Sequence, residues 1–337
     1  MKVVMLGNSG VGKTTYMASL YGIMQQKIDG FSLKAHDAAD GNRLLELANH
    51  ISSGRYPDMT ANRNEYNFYL QYQDKEIFPF SWSDYRGSAI RSTSDDKQSE
   101  ILVDELKKAD GIMMFCDCDA LMAKNKLKAM NEIRRMTYLF TEAVKNIERP
   151  ISLAIVLTKI DKLVQFKEDI FNPFEGLISV INASEYILGS FIPVACTHQF
   201  INVPLPLLFA LRFSVLYQAK LAEYMLKYHY NRYEEFKKNS QGIMGGIKWV
   251  VDSWNGDTTD AKNADLELAK AVQQYQIFEH IKDPVLALNK YLENLPIIEE
   301  NLTFKDYASI CEKTNIKYHL PNFIAQNQQK QDTFGWF

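Results

Sequence analysis

The chain predicts an α/β fold: three layers built on a mostly parallel six-stranded sheet, followed by an α-helical extension. Strand-like and helix-like apolar patterns alternate through residues 1–202, as they do when helices cover both faces of a parallel sheet. Several of the strand patterns are continuous apolar runs, the signature of strands buried on both faces. From residue 203 onward the alternation stops and helical periodicity alone remains.

The elements follow in order. Val3 to Leu6 is the first strand, and Thr15 to Tyr21 begins the first helix. Leu44, Leu45, Leu47, Ala48 and Ile51 recur at helical spacing within 42–51. Tyr66 to Tyr72 alternates as a strand, and Ile77 to Trp82 reads as the next, with Pro79 marking a weak point or a bulge. Ile101 to Lys108 is helical, Gly111 to Cys116 a buried strand, and Ala120 to Ile147 a long helical region. Ile151 to Leu157 is another buried strand, 174–188 a helix, and Phe191 to Cys196 the last strand. Leu205 to Lys238 is a long aromatic-rich helix, with Pro206 in its first turn. Shorter helices are expected at Ala261 to His280, Pro284 to Leu292 and Phe304 to Ile316, and 325–337 as a flexible Gln-rich tail.

Between the first strand and the first helix lies Gly7-Asn8-Ser9-Gly10-Val11-Gly12-Lys13-Thr14, a complete G-x-x-x-x-G-K-[ST] phosphate loop. Glycines let the backbone close around phosphate oxygens. The helix N-terminus, which takes in Thr15, adds free N–H groups and a positive dipole end. Lys13 is placed to reach β- and γ-phosphates and the Thr14 hydroxyl to ligate Mg²⁺. Asp84-Tyr85-Arg86-Gly87 ends the third strand as D-x-x-G, where Asp84 can hold Mg²⁺ through water and the Gly87 N–H can contact a γ-phosphate. Thr158-Lys159-Ile160-Asp161 ends the buried strand as [NT]-K-x-D. A carboxylate at Asp161 suits guanine, whose N1–H and N2–H₂ form a donor pair that adenine lacks. Ala195-Cys196-Thr197 ends the final strand, where a backbone loop touching guanine would be needed.

Composition narrows the classes. Lys and Arg total 38 against 41 Asp and Glu, so the net charge of -3 offers nothing to a nucleic acid. No uninterrupted apolar run reaches the about 18 residues of a spanning helix; Val203 to Tyr217 is broken by Pro204, Pro206 and Arg212. The phosphate loop takes the place that a leader peptide would occupy. The four cysteines show neither zinc spacing nor a disulfide framework, and Cys116 and Cys118 read as small buried hydrophobes on one strand face. These features predict a cytoplasmic protein.

Taken together, the phosphate loop, Thr60, D-x-x-G, T-K-x-D and A-C-T resemble the Ras-like GTPases of the translation-factor-related class of P-loop proteins. The resemblance covers 1 to about 200 and implies the three-layer P-loop NTPase fold. With the extension beginning Val203-Pro204-Leu205-Pro206, the chain also resembles bacterial double-GTPase families linked to conflict and defence gene neighbourhoods. The resemblance implies GTP and GDP as ligands with Mg²⁺, Thr60 as the switch I threonine on Mg²⁺ and γ-phosphate, and 84–96 as switch II. On this reading 1–202 is the GTP-binding domain, 203–324 a helical extension and 325–337 the tail. A protein effector or activator is the expected partner.

The chain departs from the family after Gly87, where Ser88 stands in place of the glutamine that orients the attacking water. Hydrolysis is therefore expected to be slow, or to need a group from another residue, subunit or partner. Arg55, Arg63 and Arg86 flank the γ-phosphate region, with Arg86 the best placed to act as an arginine finger. The alternative is a nucleotide-binding interaction module with little hydrolysis. Ile243, Ile247, Val250, Val251 and Trp254 share a helical face that suits packing on the protein better than a membrane surface. The aromatic end Phe334-Gly335-Trp336-Phe337 suits either a partner pocket or the extension. Oligomerisation stays open.

Overall fold

The computed structural model describes residues 1–56, 64–84, 97–197, 199–240 and 259–320. Strand β1 (Lys2–Leu6) leads through the glycine loop into α1 (Lys13–Ile23). Then come β2 (Phe31–Ala35), α2 (Ala38–Ser52), β3 (Asn64–Tyr72), β4 (Lys75–Asp84), α3 (Lys97–Lys108) and β5 (Gly111–Asp117). Next are α4 (Cys118–Met122), α5 (Leu127–Val144), β6 (Ile151–Thr158), α6 (Glu175–Asn182) and β7 (Ile187–Pro193). The short β8 (Ala195–Cys196) and β9 (Phe200–Ile201) precede α7 (Leu205–Ser240), α8 (Thr259–Tyr291), α9 (Phe304–Lys313) and β10 (Lys317–Tyr318).

The main sheet has seven strands in the order β2-β3-β4-β1-β5-β6-β7. From β4 to β7 the neighbours are parallel, whereas β3 runs antiparallel to both β2 and β4. The six strands read from sequence are all present, but the last, read as Phe191 to Cys196, ends at Pro193, and Ala195 and Cys196 belong to a separate small sheet with β9 and β10. The seventh, β2, escaped because its alternation of Phe31, Leu33 and Ala35 lasts only five residues. Pro79 stays inside β4, and the register shift falls at Leu70/Gln71 instead.

The core matches the apolar runs. Val3 to Leu6 and all of β6 are buried. Tyr16 of α1 meets Trp82 and Phe115 edge-on, and Phe171, Phe174 and Phe191 pack together beside β7. Four local expectations are corrected. Cys118 opens α4 rather than continuing the strand, so Cys116 and Cys118 do not share a strand face. The long helix of 120–147 breaks between Met122 and Leu127, and the helix of 174–188 ends at Asn182 so that β7 can begin. Pro284, read as the start of a separate helix, lies inside the continuous α8. A proline removes one backbone donor; here the buried Ile281, Val285 and Leu288 hold the helix together around it.

The chain divides into two compact units, Met1–Ser214 with Lys290–Phe337, and Val215–Asn289. These differ from the boundary expected at 202. Helix α7 starts within the first unit, where Leu205 and Leu207 to Leu211 are buried. A Cβ at Gly111 would stand 2.1 Å from the Ala210 carbonyl oxygen, so β5 and the root of α7 touch backbone to backbone. Residues after 290 also return to the first unit: the Ser190 hydroxyl donates to the Pro296 carbonyl, and Tyr307 packs on Phe171 and Phe191. Residues 205–237 are long and apolar enough to cross a membrane, but 56% of the most apolar window is buried inside the protein, as suits a core helix. The second unit pairs parts of α7 and α8, where the buried His229 Nδ1 lies 2.5 Å from Glu267 Oε2.

Candidate functional site

The glycine loop joins the end of β1 to α1 at the C-terminal edge of the parallel strands. Gly10 (φ 83°) and Gly12 (φ 99°) adopt left-handed backbone that side chains disfavour. Gly12 is the N-cap of α1, and its carbonyl accepts the first helical bond from the Tyr16 N–H. A Cβ at Gly7 would approach the Phe115 Cβ to 2.9 Å, so only glycine lets the loop lie against β5. Lys13 is buried, and its ammonium donates to the carbonyls of Gly7 (2.7 Å) and Asn8 (3.2 Å), which hold it over the loop. Asn8 is buried and lines a small cavity with Val11, Cys116, Asp117 and Glu132. Thr14 and Thr15 lie half-buried in the first turn of α1.

The second wall comes from β6. The Thr158 hydroxyl donates to the Val11 carbonyl (2.8 Å), with the Cys116 carbonyl at 3.1 Å. Lys159 takes a left-handed backbone (φ 59°). Its ammonium reaches the Gly10 carbonyl at 3.1 Å and the Asp117 carboxylate at 2.5 Å. Two consecutive residues of the T-K-x-D thus fasten directly to the phosphate loop. Asp161 follows on a 3-10 turn, Ile160–Lys162, and is exposed.

Ala195 and Cys196 open the hairpin of β8 and β9. The Ile160 N–H points at the Val194 carbonyl (3.5 Å), so the hairpin starts beside the Asp161 turn. Burial pushes the Cys196 thiol up to about 12, so it is protonated at neutral pH. Burial likewise raises the Cys116 and Cys118 thiols, in keeping with small hydrophobes.

The structure therefore brings together the loop from Gly7 to Thr15 with Thr158, Lys159, Asp161, Ala195 and Cys196. Asp84 ends β4 paired with Met5, one residue short of the end of β1. That register places its backbone beside the start of the loop. Arg55 is exposed just past α2. Thr60, Arg63, Arg86, Gly87 and Ser88 lie outside the described residues.

Sequence reading missed two neighbours of the site. Asp117, the last residue of β5, binds Lys159 while its carboxylate also accepts from the Ala120 N–H to cap α4. Its signal was available as an acidic residue ending a buried strand. Tyr56 sits beside the Asp161 turn: partial burial first, then the Asp161 carboxylate and the Cys196 thiol, raise its hydroxyl above the ordinary tyrosine value. Nothing local marks Tyr56, because its neighbours lie more than one hundred positions along the chain.

Residues 2–186 match the family model described as Double-GTPase 2, over half of the chain. The chain belongs to this family. It is accordingly a P-loop GTPase of the double-GTPase type and a GTP-binding protein. Solved structures with similar folds include translation elongation factor SelB from Methanococcus maripaludis in complex with the GTP analogue GppNHp. It is 14% identical over 58% of this chain and 30% of that one, with a TM-score of 0.29. The SRb-GTP/SRX complex of the signal recognition particle receptor from Chaetomium thermophilum is 12% identical over 58% of this chain and 90% of that one (TM-score 0.37). The Ski7 GTPase-like domain of S. cerevisiae, bound to GTP, is 14% identical over 58% and 42%, with a TM-score of 0.33. This double-GTPase thus spans less than half of the elongation factor and of the Ski7 domain. No curated protein matches it in sequence.

Proposed function

We propose that this protein is a molecular switch that hydrolyses GTP to GDP and phosphate with Mg²⁺ and signals to a protein partner. The observation that carries the reading is the direct fastening of Thr158 and Lys159 to the carbonyls of Val11 and Gly10. A phosphate cradle and a base-reading turn joined in this way act as one site for a nucleotide with both a polyphosphate and a guanine.

In this reading the loop N–H groups and Lys13 hold the β- and γ-phosphates, and Asp161 accepts from guanine N1–H and N2–H₂. The Ala195 and Cys196 backbone meets the other edge of the base. Thr14, Asp84 and Thr60 would hold Mg²⁺; hydroxyl and carboxylate oxygens are the hard donors this ion takes. Bound Mg²⁺ supplies charge neutralisation along the phosphates. A water oxygen bonds to the γ-phosphorus, the bond to the β,γ-bridging oxygen breaks, and GDP and phosphate leave. Thr60 and the Gly87 N–H sense the γ-phosphate and release on its loss. Ser88 is too short to orient that water, so intrinsic turnover is slow, and Arg86 or a partner supplies the missing group. A cytoplasmic setting belongs to this reading. So does a partner that binds 57–63 or 85–96, with self-association as one form of it.

The second reading, an interaction module that binds nucleotide and hydrolyses little, is favoured by Ser88 alone. Single-turnover GTP hydrolysis on wild type, Arg86→Ala and Ser88→Gln separates the two. The switch reading expects slow turnover that Arg86→Ala lowers and Ser88→Gln raises; no turnover in any oligomeric state or with any partner sinks it. Asp161→Asn should weaken GDP about 100-fold, the scale of two lost charge-assisted hydrogen bonds, and shift preference toward xanthine nucleotides. Unchanged GDP affinity would contradict the base-reading role.

A further inference from the structure

The hairpin carrying Ala195 and Cys196 is too small to hold its own shape. Its strands are two residues each, paired Ala195 with Ile201 and Cys196 with Phe200. An isolated hairpin is marginal in water even when longer. Here a third strand covers its outer edge. Lys317 and Tyr318 of β10 pair antiparallel with Ile201 and Phe200.

Asn202 closes the base of the hairpin and fastens it to that third strand. It is fully buried, with a left-handed φ of 56° that asparagine tolerates better than most residues. Its amide nitrogen donates to the Pro193 carbonyl (2.8 Å), where β7 ends and the hairpin begins. The same nitrogen donates to the Thr314 carbonyl at 2.5 Å. Its amide oxygen accepts from the Ile316 N–H (2.8 Å), and its own N–H donates to the Ile316 carbonyl (2.9 Å). Both amide protons and the amide oxygen are used, and they bind two points more than one hundred residues apart in sequence.

We propose that Asn202 is a positioning residue for guanine, and that β10, from the far end of the chain, is a working part of the base site. Asn202 sets the distance between Pro193 and Ile201 and thereby the presentation of the Ala195–Cys196 backbone to the base. Loosening this clamp frees the base edge and leaves the phosphate cradle intact, because the hydrogen bonds of Asn202 run to Pro193, Thr314, Ile316 and Leu205 and not to the glycine loop. The inference rests on the guanine reading above and extends it to residues outside the G motifs.

The test compares GDP with inorganic tripolyphosphate, which engages the phosphate loop and has no base. Asn202→Ala in the full chain should raise the GDP dissociation rate about tenfold, the scale of one net hydrogen bond, with tripolyphosphate affinity unchanged. Ile316→Pro deletes the N–H that binds the Asn202 oxygen at a half-exposed position; it should act in the same direction and decides the matter if Asn202→Ala fails to fold. GDP release unchanged in the folded variants overturns the inference. Equal weakening of GDP and tripolyphosphate also overturns it, since a merely structural clamp would disturb both. Wild type that holds tripolyphosphate but not GDP defeats the guanine reading itself, and this inference with it.

Discussion

The sheet-bearing unit and the helical unit Val215–Asn289 bury their side chains by different means. In the first, large residues go inside: Trp82, Tyr16, Phe68, Phe115 and Phe191 are all buried. In the second, small residues share the inside with a few aliphatic ones, Val215, Ile281, Val285 and Leu288. Ala219 and Ala222 of α7 and Ala264 and Ala271 of α8 are buried, along with His229 and Glu267, while Tyr217, Tyr224, Tyr228, Tyr230 and Tyr275 are exposed. A parallel sheet has two faces to cover and draws its stability from apolar area. A helix pair has one narrow seam, where alanines permit close approach and one buried polar pair fixes the register. Rigidity at the nucleotide site thus comes from the unit with the larger apolar core, and the helical unit carries its large side chains outward.

The largest effect should come from emptying the sheet core. Trp82→Ala is expected to cost about 3–5 kcal/mol, read as an earlier urea transition of the sheet unit. A cost below about 1 kcal/mol would show that apolar volume is not what holds this unit. Gly111→Ala comes next. Its new Cβ would meet the Ala210 carbonyl, a backbone atom that cannot rotate away, and overpacking of this kind costs about 1–3 kcal/mol or more. Thermal melting that stays in place would mean the root of α7 is loosely held.

The helical unit should respond to charge rather than volume. Hydrogen bonding to His229, then to Lys270, holds the Glu267 carboxyl below the usual carboxylate range. A depressed carboxyl contributes stability above its unfolded pKa and loses it as pH falls through the lower folded value. Hydrogen exchange on 215–240 should therefore speed up as pH drops below the ordinary carboxylate range, after correction for intrinsic rates. Glu267→Gln should cost about 1–2 kcal/mol at neutral pH and remove that acid dependence. The smallest effect belongs to Tyr224→Ala, at a residue 65% exposed: it should stay within about 0.5 kcal/mol, and a larger loss would reveal a covered face.

Much of the nucleotide site was legible because its signals are short. Gly7 to Thr14 is one stretch between a strand and a helix, and Thr158 to Asp161 follows directly on a buried strand. Several readings failed where local pattern is a poor guide. Strand β2 alternates over too few residues to stand out, Pro284 is carried by burial around it, and the break after Met122 interrupts a continuous helical pattern. Asn202 carried no signal at all. It sits between Ile201 and Val203 as an ordinary polar residue before a helix.

The division follows the range of the physics involved. Helical and strand periods, glycine backbone freedom and the order of residues in a motif act between near neighbours, so the residues themselves specified the strands of the parallel sheet, the glycine loop and the turn that carries Asp161. Which distant groups meet depends on how the whole chain closes. The bonds from Thr158 to Val11 and from Asn202 to Ile316 each span more than one hundred residues. Their partners are backbone N–H and C=O groups, which every residue but proline carries alike, so no side-chain pattern announces them and folding alone brings them within reach.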